Sequence, residues 1–288
     1  CKTSNKEGGI TMGETVINIQ GLEKYYGKHL AVSNLTLSVQ KGEIFGFLGA
    51  NGAGKSTVIR CLLGLIKKSR GDITLFAGKY DNLTEKLAHI GYLPSESQFY
   101  PDMTVKEVIA LAARARKKDC RAEAERICQI LEVPIDKKIK DLSLGNRKKV
   151  SIVCALQHQP ELLILDEPTS GLDPLMQERF FKLIKEACAA GATCFLSSHN
   201  LAEVKNYCDR AAIIREGQLL TIDTIENLTR SQTKWVTIWK DGQEEYFNFE
   251  GTSSELLAHL QDLQPSDFLV EEPSLEELFL HYYEEVEA

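Results

Sequence analysis

The sequence contains no apolar run close to the roughly 18–20 residues that a helix needs to cross a bilayer, so no stretch of it reads as a membrane-spanning helix. Its first residues show no basic segment followed by an apolar core, and the expectation is a cytoplasmic location. Positive charge is in deficit: 34 Lys and Arg against 41 Asp and Glu leave a formal net charge of −7. That balance argues against a nucleic-acid partner, because phosphate backbones are gripped by clustered Lys and Arg. The local run from Arg114 to Lys118 reads as a solvated helix face. Eight cysteines, at positions 1, 61, 120, 128, 154, 188, 194 and 208, form no C-x-x-C pair. The expected spacings for zinc ligation or a disulfide framework are missing, and the thiols are read as reduced and packed as small hydrophobes. No internal repeat and no low-complexity tract is present.

What is present points to one large α/β domain with a small addition, which 288 residues can accommodate. Residues 1–14 are read as a disordered or tag-derived segment, with Met12 a candidate start. Val16–Ile19 and Leu35–Val39 read as short antiparallel strands, the second alternating strictly and so wet on one face. Ile44–Leu48 is continuously apolar, as are Leu162–Leu165 and Ala192–Leu196, and each fits a strand covered on both faces. Strands alternating with helical patterns imply a parallel sheet whose ligands lie beyond the strand C-termini. From about 96 to 158 the pattern turns helical: Thr104 is a plausible N-cap for Val105–Ala115, and a second helix runs over Ala122–Leu131. Residues 231–288 form a separate appendage, with a hairpin turning at Asp241-Gly242, a helix over Ser253–Leu263 and a final helix from Ser274 with Glu277 completing a capping box.

Three chemical elements fall at the predicted strand ends. Gly49, Ala50, Asn51, Gly52, Ala53, Gly54, Lys55, Ser56 and Thr57 fit G-x-x-x-x-G-K-[ST] between a buried strand and a helix, which is the context that motif requires. The glycines let backbone N–H groups curl around phosphate oxygens, and the helix N-terminus adds partial positive charge. Lys55 then neutralises the β- and γ-phosphates of ATP, and Ser56 ligates Mg²⁺. Asp166 and Glu167 close an apolar strand, where a carboxylate is costly without a cation or solvent. Asp166 is read as the Mg²⁺ partner, and Glu167 as the group that orients or deprotonates the attacking water. His199 follows the third strand, within reach of the γ-phosphate as a hydrogen-bond donor. About 20 residues before the acidic pair stands Leu142-Ser143-Leu144-Gly145-Asn146. Ser143 caps the helix that follows, and Gly145 lets a backbone approach a ligand. Together they make an anion site, although the chain already has its own phosphate loop. The second phosphate contact therefore belongs to another molecule.

The ordered set GANGAGKST, LSLGN, LLILDEP, Ser170-Gly-Leu-Asp173 and the Ser-Ser-His sequence ending at His199 resembles an ABC transporter ATP-binding subunit over residues 15 to about 225. The resemblance implies an α/β P-loop NTPase (ABC ATPase) domain over 15–230. An antiparallel β subdomain and an inserted helical subdomain belong to it, and a small C-terminal α+β appendage follows. It also implies a head-to-tail dimer of two identical or closely paralogous ATPase subunits, with ATP and Mg²⁺ held between the phosphate loop of one and LSxG of the other. By that resemblance Tyr26 stacks on adenine, Asp173 links the two sites, and a polytopic membrane subunit anchors the ATPase peripherally on the inner face of the membrane, docked near Ser95–Asp102.

Two positions depart from the family. After Ile90-Gly-Tyr-Leu-Pro94 the family normally carries a Gln that contacts Mg²⁺ and water, whereas residue 95 is Ser. Ser95 is kept as a metal candidate, with Glu96, Gln98 or a bridging water as alternatives. The signature reads LSLGN in place of the commoner LSGGQ. The tail from Pro273 to Tyr283 resembles the drug and polysaccharide exporter branch, and the appendage is shorter than the regulatory barrels of sugar importers, so the expectation is export. Two rival readings are a soluble ABC protein acting on ribosomes or DNA, and a low-activity sensor or immunity subunit.

Overall fold

The computed structural model describes residues 14–229, 233–240 and 242–271. The first segment, Asp241 and the expected final helix from Ser274 lie outside the described residues. The chain forms two compact units that divide between Ile222 and Asp223, earlier than the boundary after 230 read from the sequence.

The first unit begins with strands β1 (Thr15–Tyr26) and β2 (His29–Gln40), paired antiparallel. Both are longer than the short strands expected, because register shifts around Gly21 break the alternation without ending the pairing. The alternation of Leu35, Leu37 and Val39 buries that face of β2. Strand β3 (Ile44–Leu48), buried at every residue, leads through the Gly49–Gly54 loop into helix α1 (Lys55–Leu62). Strand β4 (Arg70–Leu75) returns to pair with β1, completing a three-stranded antiparallel sheet.

Helix α2 (Leu83–Ala88) and strand β5 (Ile90–Leu93) precede the helical stretch. There α3 (Val105–Ala115) starts at the expected Thr104 cap, and Glu107 completes a capping box. Helix α4 (Arg121–Ile130) and helix α5 (Leu144–Leu156) follow, the latter capped by Ser143. The chain then alternates strand and helix through β6 (Leu162–Asp166), α6 (Pro174–Ala189), β7 (Thr193–Ser198), α7 (Leu201–Tyr207) and β8 (Arg210–Arg215), and closes with β9 (Gln218–Thr224).

These strands build a six-stranded sheet in the order β5-β6-β7-β3-β8-β9, with β3 internal and parallel to β7 and β8. The continuously apolar runs of β3 and β6 follow from this position, because helices or the antiparallel sheet cover both faces. One core cluster joins Ile17, Leu22 and Val39 of the small sheet to Phe45 and Phe47 of β3 and to Val58 and Ile59 of α1. Phe195 stacks on Phe45 at a centroid distance of 5.8 Å, which fixes β7 beside β3. Seven cysteines of this unit are free thiols, and burial pushes Cys128 up to about 11 and Cys154 to about 12.

The second unit contains helix α8 (Ile225–Thr229), strands β10 (Thr233–Lys240) and β11 (Gln243–Glu250), helix α9 (Ser253–Leu263) and strand β12 (Asp267–Glu271). Its sheet order is β11-β10-β12. Leu256 and Leu260, four apart on α9, close a small core with Val236 and Ile238 of β10. The Thr252–Glu255 capping box sets where α9 begins.

Candidate active site

The switch from strand to helix at Gly49–Lys55 builds the phosphate loop. Leu48 ends β3, the Gly49 N–H donates to the Ser198 carbonyl at 3.2 Å, and Gly54 serves as N-cap with φ 103° and no side-chain cap. A Cβ at Gly54 would sit 2.8 Å from the Ala31 carbonyl oxygen in a backbone region that L side chains rarely adopt. The first turn of α1 therefore keeps its backbone donors for an anion. Ser56 and Thr57, in that turn, are half-buried, whereas Asn51 and Gly52 at the loop apex are exposed.

Lys55 is 6% exposed. Its ammonium donates to the carbonyl oxygens of Gly49 at 2.6 Å and Ala50 at 3.2 Å, and lies 3.2 Å from Oε1 of Glu167. Glu167 follows β6 with φ 48°, a left-handed backbone for a non-glycine residue, and its N–H donates to the Ser197 carbonyl at 3.1 Å. Such a residue carries about 1–3 kcal/mol of strain, and here the turn aims the carboxylate at Lys55 and His199. The His199 Nδ1 lies 2.7 Å from Glu167 Oε2. A carboxylate only accepts, so Nδ1 carries the proton and Nε2 is the acceptor unless the ring takes a second proton. The sequence reading set His199 toward the γ-phosphate; the geometry gives Glu167 as the partner of its Nδ1.

Asp166 is 2% exposed, and its Oδ1 accepts from the Ser197 hydroxyl at 2.6 Å. Beneath it, Glu203 of α7 accepts from Ser198 at 2.8 Å and from the Thr169 hydroxyl, tying β7 to the segment after β6. Ser197 stands in the Ser-Ser-His strand end read from the sequence, whereas Glu203 and Thr169 were not read from it. Nothing distinguishes their letters from surface polar residues until the strands are paired.

The donor set fits nucleotide and magnesium. Oε1 of Glu167 is buried and accepts no hydrogen bond, its contact with Lys55 being an ion pair without hydrogen-bond geometry. Ser56 and Asp166 offer the oxygen donors that a hard cation prefers. Among the described residues no group of three or more His, Cys, Asp or Glu could cage a metal by itself. That suits Mg²⁺, which takes much of its coordination from substrate phosphates and water.

The remaining sequence-selected residues make other contacts. Ser143 is exposed and its Oγ accepts from the Asn146 N–H at 3.3 Å, and Leu144 is 64% exposed. Gly145 lies where a Cβ would come within 2.6 Å of the Gly171 carbonyl oxygen, so the backbone it admits is the chain's own. Asp173 caps α6 by accepting from Met176 N–H at 3.0 Å. Tyr26 is 44% exposed, with the Lys24 ammonium 5.0 Å from its ring centroid. Ser95 is exposed, and its carbonyl accepts from Lys148 at 3.0 Å. Burial pulls Lys148 down to about 8, opposed by the negative charges of Asp166 and Glu167.

A mixed, largely parallel sheet with a phosphate loop, a buried Asp and a Glu–His pair at its strand ends defines a P-loop nucleoside triphosphatase. The chain belongs to the ABC transporter ATP-binding proteins. A family model described as "ABC transporter" matches residues 32–170. The bacitracin transport ATP-binding protein BcrA of Bacillus licheniformis is 39% identical over 77% of this chain and 74% of its own length. The linearmycin resistance ATP-binding protein LnrL of Bacillus subtilis is 35% identical over 74% of this chain and 70% of its length. A solved ATP-binding subunit of an ABC transporter superposes with a TM-score of 0.69 at 32% identity, covering 75% of this chain and 92% of that one. The chain is thus a nucleotide-binding ATPase of the ABC transporter family, and the fold class and activity read from its motifs are borne out. No helix among the described residues is long and apolar enough to cross a membrane.

Proposed function

We propose that this chain is the ATP-hydrolysing half-site of an exporter: two copies, or this chain and a close paralogue, pair head to tail on ATP and drive a separate polytopic membrane subunit. The observation that carries the reading is the contrast between a phosphate loop tied to its own carboxylate and an exposed Ser143-Leu144 helix start whose hydroxyl is occupied by its own helix cap. Export is supported by similarity to proteins named for bacitracin transport and linearmycin resistance. The exposed Tyr100 in the Ser95–Asp102 loop offers an aromatic anchor for the membrane subunit. The chain then sits peripherally on the cytoplasmic face through that partner.

In this mechanism ATP phosphates take the backbone N–H groups of Gly49–Thr57, and Lys55 leaves the Gly49 and Ala50 carbonyls for the β- and γ-oxygens. Ser56 and Asp166 would hold Mg²⁺, which would supply charge neutralisation on the phosphates. Loss of the Lys55 ion pair leaves Glu167 free to accept a hydrogen bond from water. His199 fixes the other carboxylate oxygen. As water attacks the γ-phosphorus and the bond to ADP breaks, Glu167 takes the water proton. Tyr26 stacks on adenine, and Ser143 and Gly145 of the second subunit close over the γ-phosphate, with Asp173 linking the two sites.

Glu167→Gln tests the assignment. The variant should bind ATP as tightly as the parent chain, accumulate as dimer on MgATP in size-exclusion chromatography, and lose most turnover. Full hydrolysis by that variant overturns the role of Glu167.

A further inference from the structure

Lys148 lies on α5, the helix that Ser143 begins, and is 4% exposed. A buried ammonium is costly, and an apolar side chain of similar length would pack there with no desolvation penalty. The position is occupied by a cation nonetheless, and its contacts are unusual. It makes no ion-pair contact with a carboxylate; its Nζ donates to two backbone oxygens of one loop, Pro94 at 3.2 Å and Ser95 at 3.0 Å. Three residues further along the same helix face, the buried Ser151 hydroxyl bonds the Ser97 hydroxyl. The loop after β5 is therefore stapled twice to α5, once by a charge and once by a neutral hydrogen bond. The charge sits where Asp166 and Glu167, at the end of the neighbouring strand β6, attract it. One side chain thus ties the signature helix to the loop carrying Ser95, within the electrostatic reach of the carboxylates at the end of β6.

We propose that Lys148 is a positioning residue for ATP hydrolysis, holding the Pro94–Ser97 loop and helix α5 in register with Asp166 and Glu167. The proposal rests on the reading of Glu167 given above. The Ser95 side chain is exposed, and what holds its loop is the backbone carbonyl. The linkage comes from α5, through the four-carbon stem of Lys148 and the backbone carbonyls it grips. Displacement of a reacting group by about 1 Å costs up to a hundredfold in rate, so release of this staple should act on turnover ahead of binding.

The test uses the full chain with Lys148→Met, which removes the charge and keeps the volume, and Lys148→Arg, which restores the charge. Expected for Lys148→Met are a kcat lowered about tenfold or more, with KM for ATP and the melting temperature held. Amide hydrogen exchange should quicken at 95–98 and not in the phosphate loop. Lys148→Arg should recover most of the lost kcat. A kcat within about twofold of the parent in Lys148→Met overturns the proposal, as does a loss of kcat that tracks a fall in melting temperature with unchanged exchange at 95–98. Glu167→Gln measured alongside separates the two readings: turnover in that variant removes the role of Glu167. Turnover in Lys148→Met with Glu167→Gln inactive removes only the role of Lys148.

Discussion

The phosphate-loop end of this molecule and the start of α5 are built on opposite plans. At the first, Lys55 is 6% exposed and tied to Gly49, Ala50 and Glu167, and Glu167 is tied in turn to His199. At the second, Ser143 and Leu144 are exposed, and the Ser143 hydroxyl accepts only from its own helix. The first end is a closed cluster of charges held within one chain. The second end supplies a capped helix start with nothing of its own to bind. Under the proposed head-to-tail pairing hydrolysis is linked to association, because the carboxylate of one copy is closed over by the helix start of the other.

The largest effect should come from the buried end. Lys55→Ala removes the cation that meets the phosphates and leaves Glu167 without its 3.2 Å counter-charge. Turnover should fall by up to about a thousandfold, comparable to removal of a preorganised charge stabiliser, and steady-state hydrolysis by the purified chain measures it. A loss below about threefold would break the contrast, because the closed cluster would then not be the reacting one.

A point away from both ends should respond to acid. His158 follows the far end of α5, is 3% exposed, and donates from Nε2 to the Ile90 carbonyl at 3.2 Å, with Nδ1 accepting nothing. Burial, with the nearby positive charges of Arg116, Lys118 and His89, pulls it from 6.5 down to about 4. The sign follows directly: the unfolded chain takes up the proton near pH 6.5 and the folded chain only near 4. The associated stability is complete above about 6.5 and is lost as pH falls from there to about 4. The span amounts to about 3 kcal/mol. Urea titrations between pH 4 and 7 should show this slope, and His158→Gln should flatten it.

How far the sequence reveals this plan depends on whether a signal is local. The phosphate loop, the LSLGN cap and the LLILDEP strand end are contiguous, so backbone chemistry and residue type stand side by side. The Thr104 cap marks the start of α3 for the same reason, whereas the Thr252 capping box that starts α9 was not read. Pairing across the chain is harder to read. Strand β4 gives no strong apolar alternation and exists because β1 supplies its hydrogen bonds. Within Arg147-Lys148-Lys149 three adjacent cations look equivalent, and only the packing of α5 against β5 buries the middle one. His199 was legible as a site residue from its strand end, but its 2.7 Å contact with Glu167 depends on the αL backbone at Glu167. Gly145 was legible as a close-approach position, whereas the group that approaches, the Gly171 carbonyl, comes from the turn before α6.

The smallest effect is the most discriminating, because it asks whether the exposed end serves another chain. Lys55→Ala disables the phosphate loop of its own chain and leaves its α5 start intact; Ser143→Arg blocks the α5 start with a bulky cation and leaves the phosphate loop intact. Each variant alone should be inactive, since in a head-to-tail pair of identical chains both composite sites carry the lesion. Mixed in equal amounts, about half of the dimers should be heterodimers, each with one site built from the undamaged loop of one chain and the undamaged helix start of the other. Random pairing then restores roughly a quarter of the parental rate, if the two sites turn over independently; full mutual dependence would lower the figure. A chain that closed its phosphate loop with its own Ser143 would recover nothing at any ratio, because every copy in the mixture would carry one broken half. Recovery that rises and falls with the mixing ratio, peaking at equal amounts, therefore assigns Ser143 to the partner's nucleotide, and a flat profile near zero returns it to a structural cap.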